Sequence, residues 1–369
     1  MARRQEQESA RREVEEVAPG ILRMQLPIRM PGLGHVNMYA LLDDEGAAVV
    51  DPGLPGPATW KAIRERLAQA GLAPRHVHTV LVTHSHPDHF GGAARLVRES
   101  GGKVIAHEKF RFGASAPHGP EVSVDDLAAG HRHGHGGAVV EDAHVPPGER
   151  EPRATEMPSR WNDATPWGGR HPRPPWTMRL RWRAMRWLGR SFVPPVTHPI
   201  REGDVLRLAG REWFVQHTPG HTEDHFCLHD PAEGVFIAGD HVLPTITPHI
   251  SGISTQSDPL NAFFQSLERV AATPDVQICL PAHGHPFDDL AGRCRAIREH
   301  HIERLDKVKG IGRLLGPASV EAFSQKLFQP RSWGAMAESE TYAHLEHLRI
   351  LGDAERRSDT EGRFIYETG

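Results

Sequence analysis

Apolar and polar positions alternate in short runs over two stretches of this chain. Residues 35–42 and 47–50 flank Asp43-Asp44-Glu45-Gly46 and predict a hairpin. From 57 to 72, Trp60, Ile63, Leu67 and Ala70 recur near helical spacing, and Gly71 ends the run. Residues 77–83 read as a buried strand, 90–100 as a helix and 103–107 as another strand. The same texture returns later. Runs 205–208 and 212–217 join through Ala209-Gly210-Arg211, and 225–229 and 235–238 flank Asp230-Pro231-Ala232-Glu233-Gly234. A helix over 259–271 and an apolar strand over 276–280 complete the second stretch. Strands joined partly by hairpins and partly through helices predict an α/β layer structure with mixed sheets.

Three segments fall outside that pattern. Residues 1–17 are charged and lack apolar periodicity, which predicts a disordered or frayed helical tail. Residues 113–200 are rich in Pro, Gly, His and Arg and read as an insertion or cap. Beyond 291 the pattern is helical over 293–309, 319–328 and 338–351, and a hairpin over 354–357 and 363–367 closes it. The expected organisation is a tail (1–17), a main domain (18–290) and a helical C-terminal domain (291–369), which suits 369 residues.

Composition narrows the function classes. A net charge of −4 excludes a globally basic nucleic-acid binder. No apolar run approaches the ~18–20 residues of a membrane-spanning helix, and the start has no apolar signal core, so the expectation is a cytoplasmic protein without a membrane partner. Three scattered cysteines, Cys227, Cys279 and Cys294, make neither a disulfide framework nor a thiolate zinc site. Histidine, with 26 copies, is the exception that prompts a search for metal ligands.

The decisive text is Thr83-His84-Ser85-His86-Pro87-Asp88-His89, directly after the strand ending near 82. Extended residues two apart point the same way, so His84 and His86 converge. Pro87 then opens a helix, turning Asp88 and His89 in another direction, an arrangement suited to two neighbouring metals. His221, Asp240 and His283 follow, each just beyond a predicted strand. Ligands at the carboxyl ends of strands share the rim where α/β folds bind.

This order of motifs resembles the metallo-β-lactamase superfamily, with a catalytic domain similar to glyoxalase II. The resemblance covers about residues 20–290 and implies an αββα sandwich of two mixed sheets with helices outside. It implies that His84, His86 and His221 hold one metal, that Asp88, His89 and His283 hold the other, and that Asp240 bridges them. Asp51, in Val49-Val50-Asp51-Pro52-Gly53, matches the family's early Asp, which supports the ligands from behind. Asp240 stands where one group of true β-lactamases has Cys and another lacks a bridging Asp, so β-lactamase activity is not expected. His86 stands where oxygen-reducing diiron relatives carry Glu. Imidazole and carboxylate ligands without thiolate favour two Zn2+ per chain, with iron or manganese as alternatives.

The implied reaction is hydrolysis by a metal-bridging hydroxide. Lowering the pKa of water from 15.7 to ~7 removes roughly 12 kcal/mol from the cost of hydroxide at neutral pH. Asp88, beside the nucleophile, is the expected catalytic proton acceptor.

The expected partner is a small ester, thioester or lactone. The alternative is an endoribonuclease or other phosphodiesterase, and a silent scaffold is the remaining non-enzyme reading. Residues 164–201 hold eight Arg, four Trp and no acid, so Arg183, Arg186 and Trp187 are candidate substrate contacts in a cap. An amphipathic helix with snorkelling arginines explains the same text. The three helices and hairpin at the end resemble a winged-helix-like domain found in a hydrolase branch of the superfamily. From Cys294 onward 12 basic side chains balance 12 acidic ones, which argues against nucleic acid as this segment's partner.

Overall fold

A computed structural model of the chain describes residues 4–30, 32–112 and 192–369, together with 165, 167, 168 and 176. The first sheet runs in chain order: β1 (Val14–Ala18), β2 (Ile21–Met30), β3 (Leu33–Asp43), β4 (Gly46–Val50), β5 (Val77–Val82), β6 (Lys103–His107) and β7 (His198–Ile200). Its first four strands are antiparallel and β4 to β7 are parallel. Parallel neighbours need crossovers, and α1 (Pro57–Gln69), α2 (Pro87–Phe90) and α3 (Ala93–Ser100) supply them between β4 and β6. The second sheet holds β8 (Val205–Leu208), β9 (Arg211–His217), β10 (Phe226–Asp230), β11 (Val235–Gly239) and β12 (Ile278–Pro281), in the order β12-β11-β10-β9-β8. Among its described strands only the β11–β12 pair is parallel, and α4 (Pro259–Ala271) makes that crossover.

Side-chain alternation assigns each strand's two faces. In β4, Ala47 and Val49 join the core beneath α1 and α3, whereas Ala48 and Val50 face the other sheet. In β11, Val235 and Ile237 face between the sheets and Phe236 and Ala238 pack outward. Tyr39, Leu81, Trp213, Phe226 and Leu280 fill the space between the sheets. The result is helices, sheet, sheet, helices: the expected αββα sandwich. Burying each such large apolar side chain contributes ~1.5–3 kcal/mol, so a charge at Ile237 would break the inter-sheet layer.

The chain continues through α5 (Leu290–Leu315), α6 (Val320–Leu327) and α7 (Ala335–Ile350), with a small antiparallel sheet of β13 (Ala318–Ser319), β14 (Ala354–Ser358) and β15 (Phe364–Thr368). These helices share one apolar core with α4 and the outer face of the second sheet, through Phe263, Leu267, Ile297, Phe323, Leu345 and Leu348. Asp258 joins the two regions directly. Its carboxylate caps α4 by accepting from Asn261 N at 2.9 Å, and its other oxygen lies 2.9 Å from His347 Nδ1 on α7.

The structure departs from sequence expectation in several places, and β7, within the range read as an insertion, pairs with β6 as part of the first sheet. Residues expected to form a loose tail contain a 3-10 turn, Gln5–Gln7, and the paired strand β1. Glu6 is fully buried and accepts from Thr245 N (2.8 Å), Ile246 N (3.1 Å) and Thr245 Oγ1. Polar burial of this kind leaves no apolar period in the sequence. The helix expected over 90–100 is split at Gly91-Gly92, where Gly92 N donates to Gly53 O at 3.0 Å, an approach that needs glycine because a Cβ would stand 2.2 Å from Pro55 N or Pro52 O. Finally, α5 is longer than the expected 293–309. Arg183, Arg186 and Trp187 lie outside the described residues. Trp167 is buried, donates from Nε1 to Glu338 Oε2 at 3.1 Å, and packs against the Tyr342 ring.

Candidate metal centre

Seven side chains from four strand ends meet at one rim of the sandwich. The turn after β5 carries His84 and His86, and α2, opened by Pro87, carries Asp88 and His89. His221 follows β9, Asp240 follows β11 and His283 follows β12. Two groups form: His84, His86, His221 and Asp240, and then Asp88, His89 and His283, with ligand-capable atoms within 4.8 Å of one another in each. Asp240 faces both groups. Its Oδ2 lies 3.5 Å from His221 Nε2 and from His89 Nε2, and its Oδ1 lies 3.3 Å from His283 Nε2. Asp88 Oδ2 is 3.6 Å from His89 Nε2 and 3.7 Å from His283 Nε2.

Four of the five imidazoles are turned by a contact at Nδ1. His221 Nδ1 donates to His249 O and His283 Nδ1 to His35 O, each at 2.6 Å. His89 Nδ1 donates to Asp51 Oδ2 at 2.8 Å. Thr83 Oγ1 donates to Asp51 Oδ2 at 2.7 Å, so it accepts from His84 Nδ1 at 3.1 Å. With the protons outside, each Nε2 presents a lone pair to the centre.

The inward atoms form a donor set that suits cations. His89 Nε2, His283 Nε2 and Asp240 Oδ1 are buried and make no hydrogen bond among the described residues. His86 Nδ1 lies 3.0 Å from both His84 Nε2 and His221 Nε2, so three ring nitrogens converge on one small space. Nitrogens bound tetrahedrally at ~2.0–2.1 Å stand about 3.3 Å apart, close to this spacing. The residues therefore fit a metal pair. Burial holds His84 well below its usual pKa and His86 down to about 3, and neighbouring imidazoles add to the effect. Burial also lowers His89, but Asp240, Asp88 and Asp51 outweigh it and raise the ring well above the ordinary value. The carboxylates thus create a field that a cation satisfies.

Sequence reasoning missed several members. Thr83 stands inside the motif and could have been found there, being next to a ligand and able to relay a hydrogen bond. His225 accepts from Asp240 N at 3.0 Å through Nε2. The His35 and His249 carbonyls leave no trace in sequence, because any residue has one.

The family model for the metallo-beta-lactamase superfamily matches residues 31–150 and 156–283. The fold is similar to that of a metallo-beta-lactamase family protein from Thermus thermophilus, with 27% identity, a TM-score of 0.68, and 96% of this chain and all of that one covered. A hydroxyacylglutathione hydrolase of Maricaulis maris is 33% identical over 94 residues, 26% of this chain and 35% of that protein. An acyl-coenzyme A thioesterase of Gallus gallus is 41% identical over 59 residues, 15% of this chain and 21% of its own length. The chain spans about a third or less of these two curated relatives. Fold, match and ligand order agree, and the chain belongs to the metallo-beta-lactamase superfamily.

Proposed function

We propose that the protein is a dinuclear zinc hydrolase that cleaves a small thioester, ester or lactone in the cytoplasm. His84, His86 and His221 would hold one ion, Asp88, His89 and His283 the other, and Asp240 both. The observation that carries this reading is the position of Asp240 between two groups of inward-facing nitrogens. Such a metal pair supplies a water acidified to near-neutral pKa and a Lewis acid for the oxygen where negative charge develops. The chain's own residues then divide the remaining work. Asp51, Thr83 and the His35 and His249 carbonyls keep protons off the inward nitrogens. Asp88, whose Oδ2 sits beside both His89 and His283, accepts the proton released on attack and passes it to the leaving group. Burial of all seven side chains except His86, which is partly exposed, keeps competing water away.

The thioester preference draws on the names of the hydroxyacylglutathione hydrolase and acyl-coenzyme A thioesterase relatives. Metal analysis of the purified chain should give two zinc ions, and a panel of thioesters, lactones and single-stranded RNA should show turnover of the first class. Activity should vanish on chelation and return with zinc. RNA cleavage without thioester hydrolysis would move the assignment to a phosphodiesterase, and a metal-free, active protein would end the metallohydrolase reading.

A further inference from the structure

His221 owes its orientation to the C-terminal helices. Its Nδ1 donates to His249 O at 2.6 Å, yet His249 lies in the stretch between β11 and α4, where no helix or strand fixes the backbone. Two contacts with α7 take over that task. His249 Nδ1 stands 3.4 Å from Glu340 Oε2, and Gly252 N donates to Ser339 O (3.2 Å) and Ser339 Oγ (3.0 Å). A Cβ at Gly252 would stand 2.6 Å from Ser339 O, so the loop lies as near to the helix as a backbone can. Glu340 is fixed from its other side, where Arg304 on α5 donates to Oε1 and also meets His300 Nε2 at 2.9 Å. Burial pushes the Glu340 carboxyl up, but His249 and Arg304 outweigh it and hold it well below the usual range. An ionised carboxylate at 9% exposure, shared between Arg304 and His249, has little freedom to move.

We propose that Glu340, clamped by Arg304, is a positioning residue for the metal centre. It holds His249 so that the His249 carbonyl keeps the His221 proton on Nδ1 and leaves Nε2 bare toward His84 and His86. The inference rests on the dinuclear reading above. It makes α7 part of the site, although α7 supplies no ligand. Outer partners of this kind change metal affinity about 10- to 100-fold.

The test uses the full chain with Glu340→Ala, Glu340→Gln, His249→Ala and His221→Ala. Zinc affinity is read by chelator competition, and the His221 ring tautomer by long-range proton–nitrogen NMR. Glu340→Ala and His249→Ala should each weaken one of the two zinc sites about 10- to 100-fold and shift the His221 tautomer toward Nε2–H. Glu340→Gln, which keeps an acceptor for His249, should recover most of the loss. On a His221→Ala background neither change should weaken zinc further. His249→Ala guards against misfolding of the Glu340 variants, because His249 is only half-buried. Parent-like zinc affinity in His249→Ala, or losses that add in full to His221→Ala, would overturn the proposal alone. A parent chain that binds no zinc would overturn the dinuclear reading and this one with it.

Discussion

Replacing Asp51 with Asn changes the location of a single proton. Asp51 adopts φ 54°, a left-handed conformation that Asn tolerates nearly as well, so the backbone has no reason to move. Its Oδ1 accepts from Thr83 N at 2.9 Å, and its Oδ2 accepts from Thr83 Oγ1 (2.7 Å) and His89 Nδ1 (2.8 Å). Thr83 N is a fixed donor, so the new amide must keep its oxygen there and place its NH2 where Oδ2 was. Two donors then face a donor. His89 can relieve the conflict by moving its proton to Nε2, the atom 3.5 Å from Asp240 Oδ2. That removes the nitrogen from the metal's reach. Two bonds to a charged acceptor are worth ~1.5–3 kcal/mol each, and reversed bonds from the amide recover part of that. The expected net effect is a ~10- to 100-fold loss of zinc affinity, about 1.4–2.7 kcal/mol, greatest in the Asp88, His89 and His283 group, because Thr83 Oγ1 keeps a lone pair for His84 Nδ1 after its own bond reverses. Chelator competition on Asp51→Asn and parent chains measures it directly. Equal affinities would refute the argument that Asp51 sets the His89 tautomer, and weakening of both zinc sites alike would show that Asp51 acts through general structure instead.

Asp240→Ala should retain one zinc or none, by elemental analysis after dialysis, because Asp240 faces both ligand groups. Deleting residues 294–369 strips Phe323, Leu345 and Leu348 from the outer face of the second sheet, so the truncated chain should aggregate on size-exclusion chromatography. Stability of the metal-free chain should fall as pH drops from about 6.5 toward 4. Burial lowers His107 to about 3 and His344 to about 4, so the unfolded chain takes up protons that the folded one refuses. Urea denaturation at pH 5 against pH 7 should show a loss of ~1–2 kcal/mol for each such ring, and no change would contradict their burial as neutral groups.

The sandwich was legible because the apolar pattern of a strand is a local signal. In β5 the continuous run Val80-Leu81-Val82 marked a strand buried on both faces, and the structure puts Val80 and Val82 in one core and Leu81 in the other. The site was legible for a similar reason: four of its seven side chains fall within six residues, and the rest sit one each at later strand ends. What supports the site was hidden. Glu6 meets Thr245, and His283 meets the carbonyl of His35, through contacts between residues more than 200 apart in sequence. Glu340 is one of several charges in the helix expected over 338–351, and only the placement of α7 against residues 249–252 sets it apart.

The docked N-terminal residues carry a consequence for how the protein is made. Gln5 and Glu8 reach His285, two positions from a ligand, and Glu6 holds Thr245 and Ile246. Contacts that converge on the rim thus come from residue 5 through residue 340. During synthesis at roughly 5–20 residues per second, the segment from His84 to His89 leaves the ribosome some 13–50 s before Glu340 does. Throughout that interval it is a bare cluster of imidazoles and a carboxylate, able to take up whichever divalent ion is nearest but unable to impose a geometry on it. Only when the last helices have closed on the loop that contacts His221 are all of these contacts in place. The geometry around the seven side chains is therefore a property of the finished fold and not of the motif.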